Sequence, residues 1–402
     1  MPITFEDALA ILSSRVQPLG KISSARIQTA NGRILAEDLV ATDDYPRFDN
    51  SSVDGYVLTE AKDASKGVSL PVHGTAAAGQ STEFKLTPGS AVQIFTGAAV
   101  PAGAYAVLMQ EDAELHTSPG GFPMIELKAA ASFGENIRRK GAEIQIGNTL
   151  LKRGDRLNAG SIALLALEGV GEVKVFNGPR VSLVCTGDEL VDHTISPGIN
   201  QIRDTSLPMV ASLLDAFGAS TISTHRVADD RQELRGLLLR LASESDLVVV
   251  TGGVSVGGRD FLPEVLREVG EVVFHGVSMR PGKPMLFGEI DHVPVLGLPG
   301  NPASSFVACH TFVRETVRVL SGEEETSLFW IEARLADDHV ACGREDFVRV
   351  VLEWQGQTLW ADPKNEQASY GLRSLATGQG LARLSARETL KRGDSCQVLL
   401  LR

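Results

Sequence analysis

Two stretches of this chain run an apolar strand into a glycine-rich turn and then a helix: DLVVVTGGVSVGGRDF from Asp246 to Phe261, and VLGLPGNPASSF from Val295 to Phe306. That order is how an α/β sheet builds a cradle for an oxyanion, because backbone N–H groups at the turn point at the ligand. Thr251, Gly252, Gly253 and Ser255 follow the first strand directly, and their small side chains let an anion approach closely. Asp260 closes the loop. Thr186, Asp188 and Glu189 follow a strand predicted at Val181 to Cys185, and Asp229 and Asp230 follow another that ends at Val227. Each acid alone reads as a helix cap or turn residue. Gathered beyond the carboxyl ends of three strands, they favour a divalent cation, Mg²⁺, that meets both carboxylates and phosphate oxygens.

With 50 acidic against 38 basic residues, a net charge of −12 argues against a nucleic-acid or membrane-surface binder, so cations for a small anion must be concentrated locally. Two runs do so: Ile137-Arg138-Arg139-Lys140-Gly141, and Met279-Arg280-Pro281-Gly282-Lys283-Pro284. Prolines stiffen the second run, and Pro299 and Pro302 stiffen the entry to the last predicted helix around Gly300. Cys185, Cys309, Cys342 and Cys396 show no C-x-x-C pairing, which suggests reduced, mostly buried thiols and no structural zinc. No P-loop and no dinucleotide fingerprint is present and no candidate Ser/His/Asp arrangement stands out, which disfavours kinase, dehydrogenase and serine-hydrolase chemistry. No apolar run reaches the roughly 20 residues of a membrane span and no signal-peptide layout opens the chain, so a cytoplasmic protein is expected.

The elements that must position these groups change texture along the chain. Phe5, Ala8, Leu9 and Leu12 make one face of a short helix capped by Thr4. From Ile27 to Val175 short apolar stretches with Gly and Pro punctuation predict strands, interrupted by a helix at Ser161 to Glu168; Asp54-Gly55 there suggests a hairpin turn. From Gly178 strands and helices alternate, which predicts a doubly wound, mostly parallel α/β sheet covered on both faces. Its helices are expected at Ser206 to Phe217, Gln232 to Ser243, Leu262 to Val269 and Pro302 to Leu320. After Gly322 strands return, as a small C-terminal barrel or sandwich.

FDNSSVDGY, IFTGAAVPAGA, NIRRKGAEI, CTGDEL, TGGVSVGGRD, MRPGKPMLFG and GLPGNPASS, in this order, make the chain resemble the molybdopterin molybdenumtransferase family, MoeA and the E domain of gephyrin, over nearly its whole length. The resemblance implies an α/β plus β multidomain fold. Residues 1–44 with 145–176 would form an extended dimerisation domain, 45–144 an inserted β-rich domain, 177–322 the molybdopterin-binding α/β domain and 323–402 a β-barrel. It further implies a homodimer whose cleft lies between the α/β domain of one subunit and the β-rich domain of its partner. The implied reaction takes adenylylated molybdopterin and molybdate, hydrolyses the adenylate with Mg²⁺, and yields molybdenum cofactor and AMP. Transient contact with molybdopterin adenylyltransferase and apo molybdoenzymes would follow, with no nucleic acid or membrane involved.

Carried onto this sequence, the resemblance assigns Asp54, Glu189, Asp260 and Lys283 to catalysis, with Asp54, Glu189 and Asp260 as the metal-holding acids. Thr96, Arg138, Glu143, Arg280, Pro299, Pro302 and the barrel's Ser369 join the Thr251 to Ser255 loop in substrate binding, together with Asp229 or Asp230, between which the motif does not choose. Three positions depart from the family pattern. Lys140-Gly141-Ala142-Glu143 stands where members often read an R-x-G-E-D run, Arg280 stands where several carry lysine, and Ala368 replaces a glycine. These departures leave open a tungstate-preferring or degenerate carrier paralogue. The sheet domain also resembles molybdopterin adenylyltransferases, although the inserted domain and barrel argue against that activity. A gephyrin-like scaffold is disfavoured because the first helix already begins by Thr4.

Overall fold

The computed structural model describes residues 2–80, 85–255, 257, 260–324, 328–340, 342–363 and 367–401. They fall into two compact units, one of Met1–Glu37, Arg153–Ile162 and Gly171–Arg402, the other of Asp38–Lys152 and Ala163–Val170. The three expected-loop residues Val256, Gly258 and Arg259 lie outside the described residues.

The first unit is built on a six-stranded sheet in the order Thr221–Val227, Arg180–Thr186, Leu247–Thr251, Val293–Leu298, Leu286–Ile290, Glu271–His275. The first four strands are parallel and the last two antiparallel. The antiparallel edge escapes the strand–helix alternation because the Asp291-His292 turn, both residues at positive φ, reverses the chain with no helix between Leu286–Ile290 and Val293–Leu298. Leu247 to Val250 are completely buried, as a strand covered on both faces requires. Register sets Thr186 opposite Val227, Cys185 opposite Thr251, and Thr251 opposite Leu298, so the loops that follow all leave the sheet at one level.

Helices cover both faces. Ser206–Phe217 stops at Gly218 with φ 101°, the left-handed position that favours glycine. Arg231–Glu244 is capped by Asp230, whose carboxylate accepts from Glu233 N, and buries Leu234, Leu238 and Leu241. The helix predicted from Pro302 to Leu320 is continuous but not uniform: a π-helical turn at Cys309–Val313 joins Pro302–Ala308 to Arg314–Leu320. Within it the His310 ring packs against Phe306 and Phe217, and neither ring nitrogen has a hydrogen-bond partner. The N-terminal helix Phe5–Arg15, capped by Thr4, packs Phe5 against Phe312 of this assembly and Phe347 of the C-terminal domain.

Burial, reinforced by Arg314, pushes the His310 imidazole down from 6.5 to about 3. Between those values the unfolded chain binds a proton that the folded chain refuses, so stability is lost as pH falls, by about 1.4 kcal/mol per unit. His310→Leu is therefore expected to be more stable than the parent at pH 8, and by a margin about 2 kcal/mol wider at pH 5. Denaturant titrations at the two pH values check this; a margin that does not change with pH contradicts it.

The C-terminal strands close into a five-stranded barrel: Glu345–Gln355, Thr358–Asp362, Trp330–Leu335, Ser395–Leu400 and Gly380–Leu384, which pairs back to the first. The short Met279–Arg280 strand joins its edge in parallel with Glu345–Gln355. The second unit holds a separate six-stranded sheet in the order Ala106–Met109, Gly55–Leu58, Ala91–Ile94, Ser69–Ala76, Pro123–Leu127, Ala113–Thr117. All four cysteines are free thiols, three of them buried. No helix among the described residues is long and apolar enough to cross a membrane.

Candidate active site

The loops at the carboxyl ends of the parallel strands enclose a cleft of about 640 Å³. Thr186, Glu189, Asp229, Thr251, Gly252, Gly253, Ser255, Asp260, Pro299 and Pro302 all line it. Gly252 and Gly253 adopt φ of 88° and 63°, and a Cβ on Gly252 would stand 2.6 Å from Thr186 O and 2.8 Å from Thr186 Oγ1. Two reasons thus demand glycine here: left-handed backbone and close approach of the neighbouring strand end. Thr186 Oγ1 itself is buried and has no protein partner. A buried hydroxyl left unsatisfied costs stability, and a ligand in the cleft would supply its missing hydrogen bond.

The acids divide by role. Asp260 Oδ2 accepts from Gly257 N at 2.9 Å, which folds the end of the glycine loop onto its carboxylate. Glu189 turns back over Gly187, where a Cβ would lie 2.8 Å from Glu189 Oε2, and Gly187 sits at φ 146°. Asp188 Oδ1 accepts from Asp229 N at 3.0 Å and so ties two of the loops together. Of the Asp229-Asp230 pair, Asp229 lines the cleft, whereas Asp230 Oδ1 accepts from Glu233 N at 2.8 Å as a helix cap. Asp204 also lines the cleft, and sequence reasoning missed it. It accepts from Ser206 N and Leu207 N and pairs with Arg226, and its place just before an apolar helix was the available signal. Tyr370 and Leu372 reach the same cleft from the barrel loop, which no local pattern announces.

A second cavity of about 670 Å³ shares Pro284, Pro299 and Asn301 with the first. Arg280 and Lys283 line it from the predicted basic run, and Arg344, Arg349 and His339 join them from the barrel side. Ser369 lines it too, and its carbonyl accepts from Ala303 N at 3.0 Å, fastening the barrel loop to the helix after Pro302. Asp337, Asp338 and Asp346 line it as well, so these cations stand among carboxylates beside the glycine cleft.

Asp54, Thr96, Arg138 and Glu143 belong to the second unit. Asp54 Oδ1 accepts from both Thr96 N and Thr96 Oγ1 at 2.7 Å, and those two bonds, backbone first, hold its carboxyl below the usual range. Asp54-Gly55 is not a hairpin turn, contrary to expectation. Gly55 opens a central strand between Ile94 and Met109, and a Cβ there would stand 1.9 Å from Leu108 O. In the basic run, Arg139 pairs with Asp49 at 2.6 Å and Lys140 with Asp44 at 3.4 Å. Arg138 and Glu143 are exposed, and among the described residues Arg138 makes no ion pair.

Among the described residues no group of three acids, histidines or cysteines converges to form a protein-only metal cage. Mg²⁺ in phosphate sites rests on one or two carboxylates and takes its other ligands from phosphates and water, so Glu189 and Asp260 in one cleft fit that mode of binding.

An α/β domain with a glycine-lined cleft, a barrel and a β-rich unit match three sequence families in chain order. These are the MoeA N-terminal region (domain I and II) over residues 3–169, the probable molybdopterin binding domain over 182–319, and the MoeA C-terminal region (domain IV) over 332–401. The class is therefore that of multidomain proteins built around a molybdopterin-binding domain. A molybdopterin molybdenumtransferase of Haemophilus influenzae is 36% identical over 299 residues, 74% of this chain and 73% of its own length. One from a Nostoc species is 38% identical over 303 residues, 73% and 68% of the two chains. A crystal structure of the molybdopterin biosynthesis MoeA protein of Pyrococcus horikoshii superposes over all of both chains with a TM-score of 0.78 at 31% identity. The chain belongs to the molybdopterin molybdenumtransferase (MoeA) family.

Proposed function

We propose that this protein is a molybdopterin molybdenumtransferase: it takes adenylylated molybdopterin and molybdate, cleaves the adenylate with Mg²⁺, and releases molybdenum cofactor and AMP. The observation that carries the reading is the pairing of two adjoining cavities in one unit, one glycine-lined with carboxylates and an unsatisfied Thr186 hydroxyl, the other lined by Arg280, Lys283, Arg344 and Arg349 together with Asp337, Asp338 and Asp346. The family membership and the names of its relatives support the same activity.

In this reading the glycine loop from Thr251 to Ser255 admits the phosphate-bearing end of the pterin, and Thr186 donates or accepts at its edge. Glu189 and Asp260 would hold Mg²⁺, which when bound neutralises charge on the phosphoanhydride and polarises its phosphorus. Water supplies the oxygen that replaces the bridging oxygen, and AMP departs. Lys283 and Arg280 hold the tetrahedral oxyanion in the second cavity, as preset cations on a proline-stiffened turn. Asp54 and Thr96, already joined in their own unit, are assigned to the same reaction, with Asp54 kept ionised, and Arg138 and Glu143 to substrate binding. The proposal includes a homodimer and transient exchange with an adenylyltransferase and apo molybdoenzymes, in the cytoplasm.

Incubation with adenylylated molybdopterin tests this. AMP release that requires both Mg²⁺ and molybdate supports the reading, and release that instead consumes ATP would make the protein an adenylyltransferase.

A further inference from the structure

We infer that Asp346 is a positioning residue for the oxyanion cavity: it grips one edge of the Arg280 guanidinium so that the cation meets an incoming oxyanion already oriented. The inference rests on the reading above that this cavity receives molybdate.

The backbone brings the two together. The Met279–Arg280 strand runs parallel to Glu345–Gln355, with Arg280 in register with Asp346. Arg280 Nη2 donates to Asp346 Oδ2. Asp346 is 4% exposed, while the Arg280 side chain is 45% exposed and lines the cavity. A guanidinium is a planar fork of five donors, so an edge spent on a buried carboxylate leaves the remaining donors to face the open side.

Asp346 is itself held. Its backbone pairs with Leu384 in the barrel ladder, and His339 Nε2 lies 3.4 Å from the same Oδ2. The His339 backbone is pinned by exchange of two hydrogen bonds with Leu390, at 2.8 and 2.9 Å. Of the other acids at this cavity, Asp338 is turned to Lys391 Nζ at 2.8 Å and Arg392 N at 2.9 Å, and Asp337 Oδ1 accepts from Asp338 N at 2.8 Å. Asp346 is thus the carboxylate coupled to a cation of the cavity wall.

Two effects of Asp346 on anion binding oppose each other. Its charge offsets the positive wall and weakens attraction, while its grip removes the ordering cost of a long side chain. Substitutions separate them. Asp346→Ala loses both, and if positioning dominates, molybdate binding weakens roughly ten-fold. Asp346→Asn keeps an acceptor for Arg280 and loses only the charge, so its affinity equals or exceeds that of the parent.

The experiment is calorimetric titration of molybdate into the full-length protein and its variants, with folding verified by circular dichroism. If Asp346→Ala does not fold, Asp346→Ser, which is too short to reach Arg280, takes its place. The expected results are a weakening in Asp346→Ala, none in Asp346→Asn, and no further loss when Asp346→Ala is added to Arg280→Ala, because the residue acts through Arg280. Tighter binding in both single variants, additive losses in the double variant, or no molybdate binding by the parent protein overturns the inference. AMP release is scored separately. Loss of that activity with the binding pattern intact sinks the functional reading alone, and activity with molybdate binding indifferent to Asp346 sinks the inference alone.

Discussion

Asp260→Asn is expected to lower AMP release on the order of 10²-fold or more while leaving the fold and pterin binding nearly unchanged. Under the proposed function Asp260 has two separable jobs. Its Oδ2 accepts from Gly257 N, and Asp260 N donates to Gly257 O at 3.1 Å, so the residue closes the glycine loop. Asparagine retains an acceptor for Gly257 N but not the negative charge that a Mg²⁺ ion needs. Asp260→Ala removes both, so it should raise KM as well as lower kcat. Steady-state kinetics on the two variants make the distinction. If Asp260→Asn keeps parental kcat, the carboxylate is only a loop latch and the metal assignment at this position is wrong.

The second large effect is on stability. Glu323 lies just past the last helix of the α/β domain and accepts from Arg156 Nη2 at 2.7 Å and Arg318 Nε at 2.8 Å, with its own side chain 9% exposed. Arg318 also pairs with Glu315 at 3.1 Å, beneath the same surface. Burial pushes the Glu323 carboxyl up, but the hydrogen bonds from Arg156 and Arg318 outweigh it and leave the group below its ordinary value. Removing one partner of a buried ion pair strands the other, and Glu323→Ala should cost about 3–5 kcal/mol. Glu323→Gln should cost less, since it keeps an acceptor. Because the folded carboxyl titrates below the unfolded one, this stabilisation is fully present above the unfolded value near 4.5 and is lost as pH falls through the lower folded value. Denaturant melts at pH 7 and pH 3.5 should therefore show the Glu323→Gln deficit shrinking at the acid end. A deficit that is small at pH 7 would mean the network contributes nothing net.

Much of the candidate site was legible because it is local. Strand, small-residue turn and helix follow one another in sequence around Thr251 to Ser255 and Pro299 to Pro302, and the acids sit just beyond strand ends whose position the apolar runs define. What stayed hidden depends on which residues meet across space. Asp229 and Asp230 are indistinguishable as letters, and only the helix start at Arg231 makes one a cap and leaves the other at the cleft. Gly55 reads as a turn until Leu108 is seen against it, and the π-helical turn around His310 follows from packing that no 3.6-residue pattern encodes. Arg344, Arg349 and Tyr370 come from the barrel, far along the chain, and its closure brings them to the two cavities.

The departure at Arg280 takes on physical content here. A lysine at that position would present a point charge, whereas the guanidinium can bind Asp346 with one edge and still present donors to the cavity.

The most direct test of the central claim follows AMP release and activation of an apo molybdoenzyme in the same reaction, started by adding molybdate to the protein loaded with adenylylated molybdopterin and Mg²⁺. The account predicts that the two rise together in equal molar amounts, need molybdate, and fall together in Asp260→Asn. AMP formed without any activated molybdoenzyme, or bound substrate that stays intact when molybdate is added, would contradict it.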